Sequence, residues 1–152
     1  MRNVLVIRGG AVGDFVLTLP VFEAIRTRYP DARVDILGYP AIAELAVGRR
    51  HAHAARRVDA VEWAALFAPQ GELRDAERAW LRSFDTVVCI WPDADGVLRE
   101  NLRRAGVAAV VWMDPIPAGG ERHAVEHLAA QWERAGMPGP LPHPHLYPSE
   151  RD

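Results

Sequence analysis

The stretch Val4-Leu5-Val6-Ile7-Arg8-Gly9-Gly10-Ala11-Val12-Gly13-Asp14 decides the fold. Four consecutive apolar residues, three of them β-branched, predict a strand buried on both faces, as a parallel sheet between helical layers requires. Gly9, Gly10 and Gly13 end that strand with backbone conformations and close approaches that a Cβ forbids, and Asp14 stands at the start of an apolar-periodic helix. In an open α/β sheet such a strand-to-helix turn lies at the carboxyl edge, where ligands bind. Asp14 is therefore the first candidate for a catalytic role.

Working outward, Val16, Leu17, Val21, Ala24, Ile25 and Tyr29 follow helical spacing, with Pro20 either kinking the helix or starting its straight part. Pro30 stops it, and Arg33 to Gly38 forms the next strand, completing a βαβ unit. A short helix over Ala41 to Val47 and a basic segment from Arg49 to Arg57 precede a short strand over Val58 to Trp63 and a loop over Leu66 to Gly71. Leu73, Ala76, Trp80 and Leu81 mark one face of a helix ending near Ser83. Phe84 to Trp91 reads as a second buried strand, and the helix from Val97 ends at Gly106. Val107 to Met113 is a further buried strand, and a helix over about Arg122 to Ala135 buries Val125, Leu128, Ala129 and Trp132. This alternation predicts an α/β fold with a Rossmann-like, doubly wound parallel sheet over residues 1–136. The proline-rich tail, 137–152, reads as extended chain, a linker or an edge strand.

Composition narrows the function. The 152 residues suit one domain, and a net charge of −2 gives no global attraction for nucleic acid. All 18 basic residues are arginine, which excludes a Schiff-base lysine and a phosphate-loop lysine. Cys89, the one cysteine, lies in an apolar run and reads as a buried small hydrophobe of a reducing compartment. No apolar run is long enough to cross a bilayer and no signal-peptide pattern precedes the first strand, so a cytoplasmic location is expected.

Several motifs compete with plainer readings. A nicotinamide-binding turn needs glycine where Arg8 stands and an acidic residue where Gly38 and Tyr39 stand. His123-Ala124-Val125-Glu126-His127 matches the His-x-x-Glu-His spacing of some zinc hydrolases, but the sequence offers no identifiable further ligand. The pairs His51 with His53 and His143 with His145 could take adventitious metal, and otherwise read as solvated loop residues. Arg49 to Arg57 could contact the phosphates of an anionic ligand, or be a solvated loop balanced by Glu44, Asp59 and Glu62. Asp93, Asp95 and Asp114 each follow a predicted strand and could bond sugar hydroxyls, though turn chemistry explains them as readily. Asp14 itself could simply cap its helix.

The opening eleven residues, followed by Leu17-Thr18-Leu19-Pro20-Val21 and Arg28-Tyr29-Pro30-Asp31-Ala32-Arg33-Val34-Asp35-Ile36-Leu37, resemble the N-terminal domain of bacterial heptosyltransferases. These are family 9 glycosyltransferases, which extend the lipopolysaccharide inner core. The resemblance covers roughly Met1 to Gly136, with its core in the first forty or so residues. It implies one half of a GT-B fold, binding a glycan or lipid-linked acceptor, with Asp14 as general base and Gly10, Ala11 and Gly13 shaping the acceptor pocket; Asp93 would join them in binding substrate. A carboxylate there suits the reaction, because the acceptor hydroxyl must lose its proton as it attacks the anomeric carbon. The nucleotide-sugar donor would sit on a second domain joined through the tail, with peripheral contact at the inner membrane surface and neither cofactor nor metal. The alternative is a stand-alone Rossmann-like module that binds a sugar or nucleotide, or docks on a partner, without catalysis.

Overall fold

A computed structural model describes residues 1–117 and 123–148. Among the described residues, five strands form one all-parallel sheet in the order β3-β2-β1-β4-β5: β1 Asn3–Arg8, β2 Arg33–Gly38, β3 Ala54–Arg57, β4 Thr86–Ile90 and β5 Val110–Met113. β1 lies at the centre, with Val6 opposite Ile36 of β2 on one side and Val88 of β4 on the other. The chain winds outward from β1 first to one edge and then to the other, so the expected doubly wound α/β fold is the one observed.

Helices cover both faces. On one, Val4, Val6, Val34, Ile36 and Val88 pack against Leu19, Phe22 and Ile25 of α2 (Leu19–Arg28) and against Leu128 and Trp132 of α6 (Ala124–Arg134). On the other, Leu5, Ile7, Leu37, Val87 and Cys89 pack against Leu81 of α4 (Asp75–Arg82) and Leu98 and Leu102 of α5 (Val97–Ala105). Alternation along β1 thus feeds two separate cores from one strand, which is why its sequence is apolar without a break. No helix among the described residues is long and apolar enough to cross a membrane.

The structure corrects the sequence reading in several places. The first helix is two: α1 (Val12–Val16) ends, Thr18 Oγ1 donates to the Phe15 carbonyl at 2.6 Å, and α2 begins with Pro20 in its first turn, where a missing N–H costs nothing. The short helix after β2 is α3 (Pro40–Ala43), one residue earlier and shorter than expected. The strand expected over Val58 to Trp63 lies earlier, as β3 inside the basic segment, and Val61–Leu66 is a 3-10 helix that buries Trp63 and Leu66. β5 is a half-exposed edge strand with only Met113 buried, because it pairs on one side alone. In α6 only Leu128 and Trp132 are fully buried, while Val125 and Ala129 are half-buried; the expected start near Arg122 lies outside the described residues.

The tail 137–148 carries neither helix nor strand, and Met137 and Leu141 pack against the α2 face. Ser149 to Asp152 lie outside the described residues.

The 3-10 helix gives a direct check on the corrected assignment. Trp63 is 1% exposed and Val61 88% exposed. Trp63→Ala should cost about 3–5 kcal/mol in urea denaturation, whereas Val61→Ser should change stability by less than about 0.5 kcal/mol.

Candidate functional site

The reversal of strand order at β1 opens a crevice between the carboxyl ends of β1 and β4. A cleft of about 300 Å³ occupies this position. Arg8, Gly9, Gly10 and Asp14 form its β1 side, Trp91 and Pro92 the β4 side, and Tyr39, Pro115 and Ile116 its outer margins.

The β1 wall follows from three backbone requirements. Gly9 is buried, and a Cβ there would stand 2.5 Å from Cζ3 of Trp91, so the indole can lie against the turn only because the residue is glycine. Gly10 has φ +93°, a left-handed conformation that brings the chain round into α1. Asp14 is the third residue of α1 and its Oδ2 accepts from the Ala11 amide at 3.2 Å, half of a capping box. The capping role and an exposed carboxylate at the cleft therefore coexist in one residue.

The β4 wall is held from behind. Asn101, buried in α5, donates through Nδ2 to the carbonyls of Leu66 and Ala68 at 3.0 and 2.8 Å, fixing the end of the 3-10 helix. Phe67 then stacks on Trp91 with ring centroids 4.8 Å apart. Trp91 is thus wedged between Phe67 and Gly9.

Beneath the wall lies Arg8, 6% exposed, whose Nε meets no hydrogen-bond partner among the described residues. Burial pushes the guanidinium below its ordinary value, and the Asp14 carboxylate pulls it back up. A buried guanidinium with an unpaired Nε is costly on its own and suits an anionic or strongly polar guest.

Of the residues singled out from sequence, Gly10 and Asp14 line the cleft, while Ala11, Gly13 and Asp93 stand outside its lining. Ala11 and Gly13 are exposed on the turn and first helix beside it. Asp93 accepts from the amides of Leu98 at 2.9 Å and Arg99 at 3.1 Å, holding the start of α5. Asp95 accepts from Val97 N and Asp114 from Ile116 N, so turn chemistry occupies both. His127 Nε2 lies 2.9 Å from the Asp114 carbonyl, and no cluster of three or more metal-binding side chains occurs among the described residues.

The histidine pair in the basic segment splits. His53 is exposed and its Nδ1 accepts from Val34 N at 3.0 Å, whereas His51 is fully buried rather than solvated. Arg8, Trp91, Tyr39 and Asn101 were not singled out from sequence. A charge closing a run of four buried apolar residues was the available signal for Arg8.

Neither a protein-family model nor a curated protein matches the sequence. Solved structures do match. Over 99% of this chain it superposes on a glycosyl transferase family 9 protein from Veillonella parvula with a TM-score of 0.63 and 14% identity, covering 46% of that protein. The chain shares the fold of one half of a family 9 glycosyltransferase. The same holds for Escherichia coli ADP-heptose lipopolysaccharide heptosyltransferase II, with a TM-score of 0.60, 18% identity, 99% of this chain and 48% of that one. It also holds for E. coli heptosyltransferase WaaC, solved with ADP, with a TM-score of 0.58, 18% identity, 95% of this chain and 50% of that one. The chain therefore spans about half the length of the solved proteins it resembles.

The cost of Arg8 is measurable. Arg8→Met replaces a buried, under-bonded charge by an apolar side chain of similar length, so thermal unfolding of the ligand-free chain should show unchanged stability or a gain of about 1–2 kcal/mol. A loss of that size would show instead that Arg8 serves the fold.

Proposed function

We propose that the chain is the acceptor-binding half of a glycosyltransferase in which a second Rossmann-like domain holds a nucleotide-sugar donor across the cleft. The observation that carries this reading is the exposed Asp14 carboxylate at the edge of the switch-point cleft, directly beside buried Arg8. The fold likeness to family 9 enzymes, two of which are named as heptosyltransferases, supports it.

In this scheme the acceptor sugar lies against the Gly9-Gly10 turn and the Trp91 ring, an arrangement that suits the apolar face of a pyranose. Gly10 shapes that seat through its backbone, and Ala11 and Gly13, exposed beside the cleft, are proposed to meet the part of the acceptor that extends beyond it. The attacking hydroxyl gives its proton to Asp14 as its oxygen bonds to the anomeric carbon, and the nucleotide departs with the bonding pair of the old glycosidic oxygen. Arg8 receives an anionic group carried by one of the two substrates. Asp93 keeps acceptor capacity beyond its two amide bonds, since a carboxylate offers about four lone-pair sites, and is proposed to take a sugar hydroxyl. The acceptor class is a lipopolysaccharide or another glycan, lipid-linked and met at the inner membrane surface from the cytoplasmic side. The segment 137–152 is read as the connection towards the donor domain.

A second reading, a binding module that docks on a separate partner, is favoured by the apolar margin of the cleft, where Tyr39 is 37% and Ile116 61% exposed. The two readings part on turnover. In the complete two-domain protein, given a labelled nucleotide sugar and a glycan acceptor, Asp14→Asn should lower kcat by about 10²–10⁴-fold with little change in thermal midpoint. Wild-type turnover in the variant would remove Asp14 as base, and absence of transfer by the wild type would favour the docking module.

A further inference from the structure

Away from the cleft, the tail returns across the molecule to the buried His51. Tyr147 lies 5.1 Å, centroid to centroid, from the His51 ring, and its hydroxyl donates to Glu23 Oε2 at 3.3 Å. Glu23 Oε2 also stands 3.5 Å from His51 Nε2. The Tyr147 carbonyl accepts from Arg49 Nη1 at 2.5 Å, and the Arg50 guanidinium lies 5.5 Å over the Tyr147 ring. Arg26 of α2 pins the segment beneath, donating to the carbonyls of Arg50 and Ala32 at 2.8 and 2.6 Å.

His51 is 0% exposed, and neither ring nitrogen has a hydrogen bond among the described residues. Phe22 covers one side of it at 6.2 Å and Tyr147 another. A tail with a proline at almost every second position from Pro138 to Pro144 is already extended, so docking it costs little chain entropy. A proton on His51 would place a charge where water does not reach, under Phe22 and Tyr147, with the Glu23 carboxylate at 3.5 Å as its counter-charge.

We propose that residues 137–148 form a strap, latched by Tyr147 over His51 and Glu23, that releases when the medium is acidified while the sheet stays folded. The groups facing His51 are Glu23 and Arg26 from α2, Arg50 beside it, and His145 and Tyr147 from the strap. Burial, the largest influence, pushes the imidazole below its ordinary value; Glu23 pulls it up, and Arg50, His145 and Arg26 push it further down. Docked His51 is therefore neutral at neutral pH. Once released it reaches water and takes a proton at about 6.5, its ordinary value. The released form binds the proton more tightly, so the latch is fully effective above about pH 6.5 and weakens below it, by up to about tenfold in the docking constant per pH unit until the docked value is passed.

The test is NMR of the whole chain from pH 8 to 5, following the cross-relaxation between the His51 and Tyr147 rings, the His51 ring shifts and the exchange protection of the β1 amides. The expected result is progressive loss of the ring contact as the pH falls below about 6.5, with β1 still protected. In Tyr147→Ala, His51 should titrate close to its ordinary value, whereas in the wild type it titrates lower. In His51→Asn the ring of Tyr147 should keep its environment at both ends of the range. Three outcomes would overturn the proposal: a ring contact that survives protonation of His51, loss of β1 protection together with the contact, or a depressed His51 titration that persists in Tyr147→Ala.

Discussion

Everything in this molecule depends on β1 being hydrogen-bonded along both sides. A strand paired in parallel with β2 and with β4 satisfies its backbone groups within the sheet and turns alternate side chains into two different cores. It also forces the chain to leave β1 in one direction and return for β4 in the other, which creates the crevice at their shared end. The central pairing of the sheet and the candidate cleft therefore both start from the same six residues, Asn3–Arg8. Arg8, the last of them, belongs to both: it pairs within the ladder through its backbone and lines the cleft through its side chain.

The cleft is built by layers of support rather than by the turn alone. Asn101 holds the carbonyls that end the 3-10 helix, Phe67 from that end holds Trp91, and Trp91 rests on the space left by Gly9. A residue on α5 thus supports an indole at the site through two steps, hydrogen bonds to the end of the 3-10 helix and then ring packing. The likeness to one half of larger glycosyltransferases fits this geometry, since the walled side faces β1 and β4 while the margin at Tyr39 and Ile116 stays exposed.

How much of this was legible in the sequence varied with the number of tertiary partners involved. β1 and β4 were readable because burial on both faces leaves an unbroken apolar run, and β2 because Val34, Ile36 and Leu37 are apolar between Pro30 and Gly38, although Asp35 interrupts them. β3 was not, since Ala54-Ala55-Arg56-Arg57 has weak strand preference and is extended only because β2 offers Asp35 to Gly38 as a template. The run Val58 to Trp63 looked like a strand by composition, yet the core it reaches needs Trp63 and Leu66 on one side, which a 3-10 turn supplies. His51 read as solvated because arginines surround it; its burial is completed by Tyr147, far along the chain, and local pattern carries no trace of that. Asp14 was legible as a residue at the carboxyl edge, whereas Arg8 stood out only as the residue that breaks a nicotinamide-binding turn, because its burial comes from tertiary packing.

The basic character of β3 has a consequence for how copies of the molecule meet. Among the described residues it is the outermost strand and has no strand partner along one edge, a template on which another strand could grow. Arg56 is folded over Trp80 and Arg57 is tied to Asp59, so both guanidinium groups are held at that edge and not left to swing away. A second β3 approaching in register would bring like charges together across the new ladder. At the open edge of this sheet one guanidinium is thus laid on an indole and the other is matched by a carboxylate, so the side chains that weaken the strand's own propensity are the ones a second strand would have to displace to pair there.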